Sequence, residues 1–184
     1  LIEENIDMPE GYHVEFGGQF ESEEAASRTL LFTSFISIIV IFLLIYHEFH
    51  NLKESAIILL NLPLALIGGV FTLLFTSGEI SIPAIIGFIS LFGIATRNGM
   101  LLINRYKTLQ HEGGKTLIES VVHGSLDRLN PILMTALTSA LALIPLAVNG
   151  DLPGNEIQSP MAQVILGGLL SSTLLNGFIV PIVY

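Results

Sequence analysis

The sequence contains no cysteine and no tryptophan, and only 12% of its 184 residues are charged. The absence of cysteine excludes disulfides and thiolate metal sites. The scarcity of charge excludes an ordinary soluble domain, in which about a quarter of the residues are charged. Together with a hydrophobic share of 51% and a mean hydropathy of +0.72, it indicates an integral membrane protein.

Several motifs that carry function are also missing. No glycine-rich loop ends in a Lys-Ser/Thr pair, so ATP-driven transport has no support. No nucleophile and base occur in an enzyme-like arrangement, and an acidic, membrane-buried chain disfavours nucleic-acid binding. The four methionines are scattered and form no soft-metal cluster. The sequence therefore predicts neither an enzyme nor a cofactor-binding protein.

Long apolar runs are what the sequence has instead. Each is near the twenty or so residues that cross about 30 Å of hydrocarbon as a helix. A transmembrane β-barrel would show short alternating segments. We therefore predict an all-α membrane protein with five transmembrane helices, at residues 27–46, 55–77, 82–104, 131–149 and 160–184.

The tail before the first run is polar and acidic. Residues 1–24 hold eight of the sixteen acidic residues and no Lys or Arg. Alternating apolar residues in 11–20 predict a strand that ends at Gly17–Gly18, and residues 20–28 then predict a short helix that enters the first span. Both ends of the sequence look cut. We therefore expect residues 1–26 to end an external domain and the whole sequence to be a fragment of a larger transporter.

Basic residues predict the orientation, because Lys and Arg favour cytoplasmic loops. Five of the seven basic residues lie between spans one and two or between spans three and four: Lys53, Arg105, Lys107, Lys115 and Arg128. Residues 1–26 and loops 78–81 and 150–159 are then external, which is the periplasm of a Gram-negative cell. On the cytoplasmic side, an apolar stripe in residues 115–126 predicts an amphipathic helix on the membrane surface.

Arg97 lies inside the third span, residues 82–104, which is otherwise free of charge. Its guanidinium cannot lose its proton, and burying it costs at least about 2.5–3.5 kcal/mol on insertion scales. Such residues usually face a carboxylate or a water-filled cavity and mark an ion path. The structural alternative is that Arg97 reaches the cytoplasmic interface, roughly 10 Å away. No apolar run contains an acidic residue, so we expect any ion-pair partner outside this sequence.

Other polar residues are weaker candidates. Thr135 lies one turn after Pro131, and its hydroxyl is expected to bond the carbonyl four residues back. Arg128 is most simply an anchor at the cytoplasmic interface. His47 and His50 share a helix face but have no third ligand nearby, which disfavours a metal site. We expect no metal site built wholly from residues 1–184.

The membrane motifs resemble those of resistance-nodulation-division efflux pumps. The resemblance covers essentially the whole sequence and is most specific at residues 93–99 and 128–135. Residues 11–12 and 17–21 resemble the heavy-metal efflux branch of CusA- and CzcA-like cation pumps. The resemblance implies helices eight to twelve of a twelve-helix pump in the bacterial inner membrane. It also implies a proton-driven transporter that is a homotrimer and joins a periplasmic adaptor and an outer-membrane channel.

The same resemblance implies that Arg97, Asn98, Arg128 and Thr135 couple proton movement to transport. In drug-exporting members, a lysine at the position of Arg97 pairs with two aspartates of the fourth helix. Because arginine stays cationic, Arg97 would shift the pKa of a carboxylate rather than carry the proton. Asn130 departs from the family pattern, in which an arginine often precedes the proline.

Two alternatives remain open. A drug or small-molecule exporter of the same superfamily would share every membrane feature of this sequence, and its external domain would carry an aromatic pocket instead of metal ligands. A non-metal assembly or export component is the second alternative, and a fourth span without acidic residues would favour it.

Overall fold

The computed structural model describes residues 19–76, 78, 80–111, 113–114, 116–150, 152–155 and 157–184. Its five helices are α1 (Gln19–Phe49), α2 (Leu52–Phe75), α3 (Ile82–His111), α4 (Leu117–Val148) and α5 (Gln158–Val183). Each is long and apolar enough to cross a membrane. The predicted all-α membrane fold with five spans is therefore confirmed. The strand predicted at residues 11–20 falls almost wholly outside the described residues.

Side chains near the helix starts pair with backbone N–H groups that the first turn leaves free. At the start of α2, the side chain of Asn51 accepts a hydrogen bond of 3.0 Å from the backbone N–H of Lys53. At the start of α4, Thr116 and Glu119 form a capping box, in which each side chain accepts from the other residue's backbone N–H. These two caps fix where α2 and α4 begin.

Helix α4 differs from the sequence-based prediction. The surface helix predicted at 115–126 and the span predicted at 131–149 form one continuous helix that passes through Pro131 and Pro145. The capping box starts this helix far ahead of Pro131, and prolines are tolerated inside membrane helices. The apolar stripe of the predicted surface helix is mostly exposed, with Val121 as its one buried member.

Helix α3 contacts all four other helices. Its buried face includes Leu91, Ala95, Leu102 and Tyr106, which are at most 3% exposed. Helix α5 packs on α2, α3 and α4, whereas α1 contacts only α2 and α3 within the described residues. A displacement of α3 would therefore reach every other helix directly.

Helices α2 and α5 approach each other closely where Gly68 of α2 meets Gly167 of α5. A Cβ on Gly167 would lie 2.7 Å from the backbone oxygen of Gly68 and would overlap the side chain of Thr72. Nearby, the hydroxyl of Ser171 donates a hydrogen bond of 2.6 Å to the backbone oxygen of Leu64. Small residues allow membrane helices to approach closely where lipid offers no hydrophobic driving force.

Helix α1 is held near its C-terminal end. Ile45 and Phe49 are its only buried side chains among those that the structure describes, at 0% and 6% exposure. They join a cluster with residues of α2 and α3 that includes Ile58 and Leu102. Ile41 and Ile38, earlier in α1, are half-buried and also pack against the core formed with α2 and α3, whereas much of the rest of α1 is exposed within this chain.

Candidate coupling site

Arg97 lies on the exposed side of α3, in line with Ser90, Gly93 and Asn104. No hydrogen bond or ion pair joins its guanidinium to any residue that the structure describes. Helices α2 and α5 pack on the other side of α3, where Gly99 and Leu91 are buried. The described residues therefore leave the Arg97 side of α3 uncovered, and the partner expected from outside this sequence stays a prediction.

Asn98 is the next residue, but it turns into the bundle and is 5% exposed. Successive side chains of a helix point about 100° apart. Arg97 and Asn98 therefore occupy different environments at the same depth. The first projects away from the packed helices and the second projects among them.

The contacts between α3 and α4 fix the depth of Thr135. Arg105 pairs with Asp127, and the two helices run in opposite directions. Thr135 lies eight residues after Asp127, and Arg97 lies eight residues before Arg105, so Thr135 and Arg97 are level. Thr135 is half-buried, and its hydroxyl donates a hydrogen bond of 2.9 Å to the backbone oxygen of Pro131, as expected.

Arg128 lies apart from that level. It follows Asp127 directly and is half-buried, level with Asn104 rather than with Arg97. Seven residues of helix separate the two levels, or roughly 10 Å. The structure thus brings Arg97, Asn98 and Thr135 to one depth and leaves Arg128 nearer the end of the span.

Two ion pairs that were not predicted from the sequence join the helices at this end. The Nζ of Lys107 donates a hydrogen bond of 2.9 Å to the Oε2 of Glu54 and lies 5.3 Å from the ring centre of Phe49. Arg105 donates from Nε and Nη2 to one oxygen of Asp127, at 3.0 and 2.6 Å. The basic residues predict the orientation. The acidic residues Glu54 and Asp127, of opposite charge and in the same loops and helix ends, are the feature of the sequence that could have predicted the two pairs.

A buried tyrosine lies beside these pairs. The hydroxyl groups of Tyr106 and Ser125 share a hydrogen bond of 2.6 Å, and Tyr106 is fully buried. A Cβ on Gly124 would lie 2.6 Å from the Tyr106 ring, so glycine makes room for it. The ring of Tyr184 lies 5.1 Å away. Helices α3, α4 and the end of α5 therefore meet at Tyr106.

The two candidate histidines lie close together without forming a metal centre. The rings of His47 and His50 are 5.7 Å apart, and both side chains are exposed. Over the described residues, no group of three or more His, Cys, Asp or Glu side chains has the arrangement of a metal site. The described residues thus supply Arg97 as a fixed cation and no metal-ligand cluster.

Comparison with known proteins identifies the family of this chain. The model of the AcrB/AcrD/AcrF family matches residues 1–184. The chain is 36% identical over 183 residues to the cobalt-zinc-cadmium resistance protein CzcA of Cupriavidus metallidurans, covering 100% of this chain and 17% of that protein. It is 38% identical over 183 residues to protein HelA of Legionella pneumophila, with the same coverage.

A solved structure is also similar to this chain. The crystal structure of a heavy metal efflux pump matches it with a TM-score of 0.79 and 35% sequence identity, over 95% of this chain and 18% of the pump's chain. The chain therefore spans about a sixth of the length of its relatives. The predicted resemblance is confirmed, and the chain belongs to the AcrB/AcrD/AcrF family of resistance-nodulation-division pumps.

Proposed function

We propose that this chain is part of the inner-membrane domain of a proton-driven pump that exports heavy-metal cations. The relative named for cobalt, zinc and cadmium resistance supports the cargo class. Arg97 on the open side of α3 is the observation that carries the coupling role. The pump is a secondary transporter, and the metal is its cargo.

The coupling step uses Arg97 as a fixed positive charge. A carboxylate from another segment of the whole protein faces it across the open side of α3, and the nearby cation lowers the pKa of that carboxylate by about 1–3 units. Protonation removes the attraction between the two groups. The proton then leaves toward the cytoplasm, and the ion pair forms again.

The energy reaches the rest of the membrane domain through α3. One proton that crosses a potential of about 100 mV supplies roughly 2.3 kcal/mol, and a pH gradient adds to it. Because α3 contacts the other four helices, a shift of α3 when its ion pair breaks is passed on to all of them. In this proposal Asn98 and Thr135, at the depth of Arg97, and Arg128, nearer the end, assist the coupling as the resemblance implies, and Asn98 does so from the packed side of α3.

Charge substitution at Arg97 tests the coupling role in the full-length pump. Arg97→Met should abolish metal resistance while leaving expression and assembly intact, and Arg97→Lys should retain part of it. Arg28→Met removes an exposed arginine from α1 and serves as the control for losing a cation. Normal resistance with Arg97→Met would refute the proposal.

The orientation is part of the proposal and has its own test. Lys107 near the end of α3 pairs with Glu54 near the start of α2, so the α1–α2 and α3–α4 connections lie at the same end of the bundle. This supports placing both connections on one side, the cytoplasm. With Ser22→Cys or Gly154→Cys, an impermeant thiol reagent should label intact spheroplasts. With Gly114→Cys, labelling should require lysis, and labelling from outside would reverse the topology.

We also propose the partners from the family resemblance. The full-length pump is then a homotrimer that joins a periplasmic adaptor and an outer-membrane channel. Native mass spectrometry of the full-length pump should give a trimer mass, and co-purification should recover the adaptor. A monomer as the only species in mild detergent would contradict this part.

A further inference from the structure

Three asparagines lie inside the bundle, one on each of three helices. Asn61 on α2, Asn98 on α3 and Asn176 on α5 are 0%, 5% and 1% exposed. Neither the amide nitrogen nor the amide oxygen of Asn61 or of Asn176 has a hydrogen-bond partner within the described chain. A buried polar group that is left without a partner loses the hydrogen bonds it makes to water in the unfolded chain, which destabilises the fold. Two such side chains in one bundle call for a ligand.

The asparagines of α3 and α5 are level. A Cβ on Gly168 would collide with the side chain of Leu91, so these two residues face each other. Helices α3 and α5 run in the same direction, because Gly87, before Leu91, meets Met161, before Gly168. Asn98 follows Leu91 by seven residues, and Asn176 follows Gly168 by eight. Their Cα positions along the two helices therefore coincide to within about one residue.

Asn61 reaches the same level from α2. Its amide nitrogen occupies the space that a Cβ on Gly99 would fill. Gly99 is the neighbour of Asn98. The three amides therefore lie on the packed side of α3, at the depth of Arg97.

A cavity adjoins this level between α3, α4 and α5. Its volume is about 390 Å³, and its lining includes Leu102, Thr173 and Gly177. Thr173 and Gly177 flank Asn176 in sequence, and the buried hydroxyl oxygen of Thr173 also has no hydrogen-bond partner among the described residues. Thr173 is the member of this set that lines the cavity, whose wall is otherwise mostly apolar, and the asparagines lie next to the cavity rather than in its lining.

We propose that Asn61, Asn98, Asn176 and Thr173 form an internal water-binding site behind α3. A buried water typically makes about three hydrogen bonds to otherwise unpaired polar groups, which is what this set of side chains supplies. Segments outside this chain cannot serve Asn61 and Asn176, because α2, α3 and α5 already bury both side chains. The groups are neutral, so nothing in the set offsets the cost of burying a cation there, whereas water carries no such cost. This inference does not depend on the export function.

Bound water gives α3 exchangeable partners on its packed side. A direct amide–amide bond between helices would hold α3 at one position. Water molecules can instead be re-bonded as α3 shifts, so the amides stay paired in more than one position.

X-ray radiolytic footprinting of the full-length pump in lipid nanodiscs tests the site. Hydroxyl radicals formed from bound water oxidise the side chains next to it, and H₂¹⁸O marks the product for mass spectrometry. Leu102 lines the cavity and is 3% exposed, whereas Leu91 on the same helix is 0% exposed and lies about three turns away. The two leucines are matched in type and burial, and only Leu102 is near the proposed water.

Leu102 should be oxidised several-fold faster than Leu91 in the unmodified pump. The substitutions Asn61→Leu and Asn176→Leu together should bring Leu102 down to the rate of Leu91, and Thr173→Val should give a partial decrease with less disturbance of packing. Equal rates at the two leucines in the unmodified pump would overturn the proposal. So would a Leu102 rate that the substitutions leave unchanged, because the cavity water would then not depend on the amides.

Discussion

The α2–α5 contact predicts different effects of the same substitution at two glycines of one helix. In Gly167→Ala, the new Cβ would stand 2.7 Å from the backbone oxygen of Gly68, which cannot rotate away. In Gly177→Ala, the new Cβ would meet nothing within 4 Å. Both positions lie in the interior of α5, so any change in helix propensity is common to both.

The magnitudes follow from these two environments. Replacing glycine by alanine inside a helix is worth about 0.5–1 kcal/mol through the unfolded chain. Overpacking a close contact costs about 1–3 kcal/mol, because α2 and α5 must move apart. We therefore expect Gly167→Ala to destabilise the membrane domain by about 1–2 kcal/mol net and Gly177→Ala to be neutral or slightly stabilising.

The assay is the thermal midpoint of the full-length pump in mild detergent, read by fluorescence-detected size exclusion after heating. Gly167→Ala should lower the midpoint relative to the parent and to Gly177→Ala. A midpoint for Gly167→Ala at or above that of Gly177→Ala would show that the helices do not touch where the structure places them. Equal losses in both variants would refute the reasoning as well, since only one position is crowded.

Two further predictions concern charge and metal. Glu54→Gln should destabilise the pump by about 1 kcal/mol through loss of the largely shielded pair with Lys107, whereas the exposed Glu48→Gln should not; equal thermal midpoints for the two variants would contradict the pair. His47→Ala together with His50→Ala should leave metal resistance unchanged, because these exposed rings have no third ligand among the described residues, and a lost or altered metal profile in the full-length pump would contradict that.

Most of the fold could be predicted from hydrophobic length alone. A membrane helix must pair all its backbone groups internally, so apolar runs near twenty residues identify the spans with little ambiguity. Hydrophobic length does not show how far a helix continues beyond the membrane. The sequence therefore predicts separate helices at residues 115–126 and 131–149, although the capping box at Thr116 and a continuous backbone join them into α4.

The candidate site could be predicted only in part. A lone arginine in an apolar run is visible in any sequence, and Arg97 was found in that way. Asn61 and Asn176 carry no charge and stand in equally apolar surroundings, so nothing in one helix marks them. Their shared depth arises from how α2 and α5 pack against α3, which is a property of the assembled helices.

The attachment of α1 has a mechanical consequence. This helix has 31 residues, and among its described side chains those that pack into the core with α2 and α3, Ile38, Ile41, Ile45 and Phe49, lie in its C-terminal part. The arm from Ile38 to Gln19 is roughly 30 Å at 1.5 Å per residue. A tilt of about 10° around Ile38 would swing the far end of such an arm by roughly 5 Å. Small adjustments where α1 meets α2 and α3 are thus amplified into large displacements at the end that carries the acidic tail.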